Sequence, residues 1–121
     1  MFLKLNHQKL DSYIYSYAFV LECYKLSKHL PEYEKFGMIS QLRRAALSVH
    51  LNIAEDSSRK SEIERKRFYE ISRGSIVEID AILDIANGLD YLNNHETSKL
   101  GEAMLRCFKI LSGLITSPQK Q

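Results

Sequence analysis

Chemistry in a short chain needs reactive groups within reach of one another, and this sequence offers few. Its four histidines, His7, His29, His50 and His95, are scattered. None stands three residues after a glutamate, so the Glu-x-x-His pairs of a di-metal carboxylate bundle are missing. Zinc-ligand spacings, a P-loop and a G-x-S-x-G elbow are absent too. Ser48 and His50 are two residues apart, which sets them on different sides of a helix and rules out a nucleophile–base pair within it. Cys23 and Cys107 each lie on an apolar stripe without a CxxC or Cys/His pattern, which reads as buried free thiols in a reducing compartment. The sequence predicts no enzyme, no metal and no cofactor.

The chemistry that remains is ionic. The net charge is only +2, but its distribution is uneven. Between residues 59 and 73 six bases outnumber three acids, and between 78 and 102 six acids face one base. Arg43, Arg44, Arg59, Lys60, Arg65, Lys66 and Arg67 are the candidate phosphate contacts, because phosphate binding needs only cations on one accessible face. Glu78 falls among Ile71, Ile82 and Ile85 on a helical wheel, and a buried carboxylate must find a cation or take a proton. A helical hairpin turning at 57–60 brings Glu78 level with Arg43 and Arg44, which predicts a mostly buried ion pair. Asn52 and Glu55, three apart, share a face and predict a polar network closing the end of that hairpin; the sharper alternative is an anion site. Gly74 in mid-helix costs about 1 kcal/mol against Ala, which predicts a close helix approach.

Four helical segments must position these groups: about 9–30, 38–57, 61–88 and 95–116. Leu10, Ile14, Tyr17, Leu21 and Tyr24 mark the seam expected for the first, which Pro31 ends. Leu42, Ala46, Val49 and Ile53 mark the second. Ser61 and Glu64 form a capping box for the third, whose seam runs through Phe68, Ser72, Ser75, Ile79, Ile82, Ala86 and Leu89. Asn94 is the expected N-cap of the fourth, whose seam is Leu100, Met104, Cys107, Leu111 and Leu114. Short connectors favour antiparallel neighbours, so the expected fold is all-α, an up-down antiparallel four-helix bundle in one domain, 1–121. With 45% hydrophobic and 26% charged residues, no run long enough to span a bilayer and no signal peptide in "MFLKLNHQKL", a cytoplasmic protein without membrane contact is expected.

The second helix has more apolar surface than one core needs. Leu47, Leu51 and Ala54 lie opposite its seam, among Arg43, Arg44, His50 and Glu55. That mixture of apolar and charged groups matches a subunit interface, and it predicts a homo-oligomer.

"QLRRAALSVHLNIAED", followed by Arg59 and then "RFYEISRGSIVEID", resembles the 23S rRNA intervening-sequence family of four-helix bundles. The family pattern is close to Q-L-R-R-A-A-x-S-I-P-x-N-I-A-E-G-x-x-R, then F-L-x-I-A-x-G-S-L-x-E-L. Its motif residues fall here on Gln41, Arg43, Arg44, Asn52, Glu55, Arg59, Gly74, Ser75 and Glu78, of which Gln41, Asn52, Glu55, Ser75 and Glu78 form the candidate structural polar network. His50 stands where Pro is common, Asp56 where Gly is usual, and Ser72 where Ala is typical. The resemblance implies a ring-like homopentamer and no known catalytic activity. Some members are encoded within bacterial 23S rRNA genes, and a similar bundle serves retroelements by binding reverse transcriptase and nucleic acid. Two functions compete on these grounds. One is an oligomeric scaffold binding RNA or DNA, and the other is an adaptor recruiting a nucleic-acid enzyme encoded nearby.

Overall fold

The computed structural model describes residues 2–56 and 61–116. It contains four α-helices, α1 (Asp11–Ser27), α2 (Met38–Asp56), α3 (Glu62–Gly88) and α4 (Ser98–Thr116), with 3-10 turns at Asn6–Lys9 and Glu32–Glu34. No strand occurs among the described residues. Each helix packs on the one before and the one after it, and α1 also packs on α4. This closed ring of neighbours is the up-down four-helix bundle that the periodicity predicts, with α1 and α3 at diagonal corners.

Side-chain pairs fix the antiparallel register. Ser72 Oγ donates to the Val49 carbonyl at 2.8 Å, Ser75 Oγ donates to Ser48 Oγ at 2.8 Å, and Arg44 meets Glu78. Numbers fall along α2 as they rise along α3. Ser16 with His50 and Ser27 with Arg43 do the same between α1 and α2.

The helix ends have distinct causes. Ser61 Oγ accepts from the Glu64 amide at 3.2 Å, the cap expected for α3. At the other end Asp90 adopts φ 65°, while the Tyr91 amide reaches the Ala86 carbonyl and the Asp90 amide reaches that of Asn87. This is a Schellman closure with aspartate in the left-handed position usually given to glycine. The fourth helix starts later than expected and is not capped by Asn94. Instead Glu96 Oε1 accepts from the Ser98 amide at 2.9 Å and from its hydroxyl, and these bonds hold the Glu96 carboxyl below its usual range. A carboxylate at a helix N-terminus also meets the positive end of the helix dipole.

The core is built from Phe19, Leu42, Ala45, Ala46, Val49, Ile76, Ile79 and Leu111. The expected seams of α2 and α4 face it, and that of α3 does so apart from the exposed Leu89. The first helix is a correction. Leu10, Ile14, Tyr17 and Leu21 face outward, and the buried face is Ser12, Ser16, Phe19, Val20, Cys23, Leu26 and Ser27. Serines suit a packed face here because their own helix accepts their protons: Ser16 Oγ bonds the Tyr13 carbonyl at 3.1 Å and Ser27 Oγ that of Tyr24 at 2.7 Å. Their small size lets the neighbouring helices approach, with Phe19, Val20 and Leu26 filling the space between them.

Candidate functional site

Three polar clusters line the α2–α3 seam. At one end Arg44 donates to Glu78 and, through both Nε and Nη2, to Gln41 Oε1 at 3.3 and 3.1 Å. In the middle Asn52 Nδ2 donates to the Ser48 carbonyl at 2.8 Å and to Ser48 Oγ, which also accepts from Ser75. At the far end the Tyr69 hydroxyl bonds Asp56. Gln41, Asn52, Ser75 and Glu78 of the expected network are therefore placed along one seam, but in separate groups, and Glu55 is exposed on the outer side of α2.

The expected partner of Glu78 is present, but the expected burial is not. The side chains of Arg44 and Glu78 are 55% and 39% exposed. The reason lies in which stripe of α3 turns inward. Ser72, Ser75, Ile76 and Ile79 are buried, whereas Ile71 and Ile85 are exposed, so Glu78 sits at the boundary with solvent. An ion pair so placed contributes about 0–1 kcal/mol. Gly74 is a second correction: a Cβ built there meets nothing within 4 Å, so no helix of its own bundle approaches it.

Asp56, marked in the sequence only as standing where Gly is usual, is the buried carboxylate. It is 3% exposed, and its Oδ1 has no hydrogen-bond partner among the described residues. Burial raises its pKa above the usual carboxylate range, against the lowering effects of the Tyr69 hydroxyl and the Arg65 charge. The Tyr69 phenol is raised in turn, by burial first and by Asp56 second.

Several arginines hold helices together. Arg43 Nε donates to Ser27 Oγ at 2.8 Å, with its guanidinium 5.3 Å from the Tyr24 ring centre. Arg73 reaches Ser112 Oγ at 3.2 Å and lies over Phe108, and Arg106 lies over Tyr15. Of the candidate phosphate contacts, Arg65 and Lys66 are half-buried and Arg67 is exposed, all in the opening turns of α3. Arg59 and Lys60 lie outside the described residues.

The serine and cysteine side chains that could act as nucleophiles each have a defined setting. His50 Nδ1 lies 2.7 Å from the hydroxyl of Ser16, not of Ser48, and its ring packs 4.4 Å from that of Tyr13 and 5.9 Å from that of Tyr17. Ser16 is fully buried, so no substrate carbonyl can reach it. No local spacing could reveal this pair, since 34 residues separate its members. Cys23 and Cys107 are free and buried, as expected, and burial pushes both thiols up to about 12, which keeps them protonated and unreactive. Among the described residues no three His, Cys, Asp or Glu side chains converge as a metal site. No helix among them is long and apolar enough to cross a membrane.

The outer surface carries the apolar groups. Leu47 and Leu51 of α2 are exposed, the latter by 57%, and Ala54 is half-buried beside them. Register places Leu51 level with Ile71 and Leu47 level with Gly74 on the adjoining helix, so one apolar surface spans both helices.

The family model described as 23S rRNA-intervening sequence protein matches residues 8–113, nearly the whole described bundle. No curated protein gives a significant match. The match takes in both sequence motifs and all the polar clusters of the α2–α3 seam, and by it the chain belongs to the 23S rRNA-intervening sequence protein family.

Proposed function

We propose that this protein is a non-enzymatic oligomeric scaffold, a homopentamer by family resemblance, that binds RNA through phosphate contacts. The observation that carries the reading is the outward apolar surface on α2 and α3, with Leu47 and Leu51 at helical spacing and charged Arg44 and Glu78 between the stripes. Apolar residues at seam spacing match the core of a subunit interface better than scattered surface residues do. The family name, which ties relatives to 23S rRNA, supports the RNA part. So does the run Arg65, Lys66 and Arg67 at the start of α3, to which Arg59 and Lys60 add charge in the sequence. Arg43 and Arg44 are engaged with Ser27 and Glu78, and half-buried Arg65 acts on Asp56, which makes the exposed Arg67 and neighbouring Lys66 the stronger candidates for phosphate.

Binding to single-stranded RNA is measured across a salt series for the parent and for the triple variant Arg65→Gln, Lys66→Gln, Arg67→Gln. Phosphate contacts predict a steep loss of affinity with salt and little sequence preference. The triple variant should flatten the slope by up to ~3, about one unit per contact, at unchanged oligomeric mass. No binding even at low salt refutes the RNA reading and leaves a protein–protein adaptor. Dissociation of the oligomer by the triple variant assigns the basic run to the subunit interface instead.

A further inference from the structure

Two helices of the bundle turn seam-like stripes to solvent. On α1 the stripe is Leu10, Ile14, Tyr17 and Leu21, all exposed and spaced four, three and four. On α3 it is Ile71, Gly74, Glu78, Ala81 and Ile85, spaced three, four, three and four. The first is bulky throughout. The second has small residues at Gly74 and Ala81, where the helix surface is low, and a Cβ at Gly74 would meet nothing. Because α1 and α3 occupy diagonal corners, one copy cannot bring these stripes together.

We propose that the α1 stripe of one copy packs on the α3 stripe of the next, a head-to-tail contact with Tyr17 over Gly74. The inference rests on the homo-oligomer reading and adds to it which faces meet. Both helices run in the same direction, so copies related by rotation about an axis along the bundle set the two stripes side by side in parallel. Heights then agree. Ser16 lies at His50 of α2, and the adjoining Val49 and Ser48 lie at Ser72 and Ser75 of α3, which puts Tyr17 within about one helical turn of Gly74. Charges agree as well. Beyond Leu21 the α1 stripe continues into exposed Lys28 and into Lys25, which also pairs with Glu22 of its own helix at 3.4 Å, and the corresponding end of α3 presents exposed Asp84. A symmetric α3–α3 contact centred on its stripe would set Glu78 against its own copy, and a symmetric α1–α1 contact would leave α3 uncovered. The head-to-tail pairing covers both stripes in every copy. Leu47 and Leu51 extend the α3 side of the contact.

The test uses Tyr17→Cys and Gly74→Cys chains, produced singly and together in one cell, then treated with a short bis-maleimide. Cys23 and Cys107 are buried and stay silent. Cross-linked dimers are expected from the co-produced pair and not from either variant alone. Cross-links within a single variant, or none from a pair that keeps oligomeric mass, overturn the head-to-tail contact while sparing the scaffold reading. A monomeric parent overturns both. Gly74→Trp gives a second readout, because nothing inside its own bundle obstructs the new side chain. Its solution mass should fall toward one chain at unchanged helical circular dichroism, and an unchanged mass counts against the contact.

Discussion

Replacing Gly74 by Ala removes a mid-helix glycine where the bundle offers space for the new methyl group. No heavy atom of the bundle lies within 4 Å of the added Cβ, and Gly74 lies well inside α3 (Glu62–Gly88). The steric cost within one copy is therefore nil, while the helix propensity gain is about 0.8–1.0 kcal/mol. Much of that gain comes from reducing the freedom of the unfolded chain. With a urea m-value of about 2 kcal/mol/M, the midpoint should rise by roughly 0.4–0.5 M at unchanged m. The measurement is made in a Leu51→Glu background, which the proposed scaffold makes monomeric, so that unfolding reports on one chain. A midpoint that falls, or stays within error of the parent, would contradict the open environment of Gly74 and restore the close helix approach expected from sequence.

Other perturbations have equally definite outcomes. In the same Leu51→Glu background Glu78→Ala should cost no more than about 1 kcal/mol in urea unfolding, because its ion pair with Arg44 is exposed; a loss of 3–5 kcal/mol would place the pair in the core. Asp56 has a raised folded-state pKa, so its contribution is most favourable below the unfolded value near 3.9 and is lost as pH rises through the folded one. Asp56→Asn should accordingly be more stable than the parent at pH 7, with an advantage that shrinks on acidification; a constant advantage across pH would refute burial of the charge. Asp90→Gly should stabilise by about 1 kcal/mol, because φ 65° at the α3 Schellman closure suits glycine, and thermal unfolding would show a raised midpoint.

How far the sequence could be read depended on how strongly each helix distinguishes its faces. The second and fourth helices bury the residues their periodicity marks, because on their opposite faces the apolar residues, Leu47, Leu51 and Leu105, are interrupted by charged and polar ones. The first has large apolar residues on both sides, and serines at 12, 16 and 27 on the buried one, so hydrophobicity alone selects the wrong face. On α3 the same ambiguity separates Ile71 and Ile85 from Ile76 and Ile79, four isoleucines split between two sides. Choosing the outer pair as core put Glu78 inside. The Arg44 pairing was legible all the same, because an antiparallel hairpin fixes which residues are level whichever face is buried. Ser16 with His50 was not legible, since it needs the packing of α1 on α2 and leaves no local signal.

The claim on which the functional account most depends is that the outward apolar stripes are subunit surface. Light scattering on the parent and on Leu51→Glu at micromolar concentration measures it directly. The parent should show a multiple of the 14.0 kDa chain mass, five-fold for the pentamer, and the variant should fall toward a single chain with its helicity retained. A parent that scatters as a 14.0 kDa monomer, or a variant that keeps the parent's mass with Glu at position 51, would contradict it.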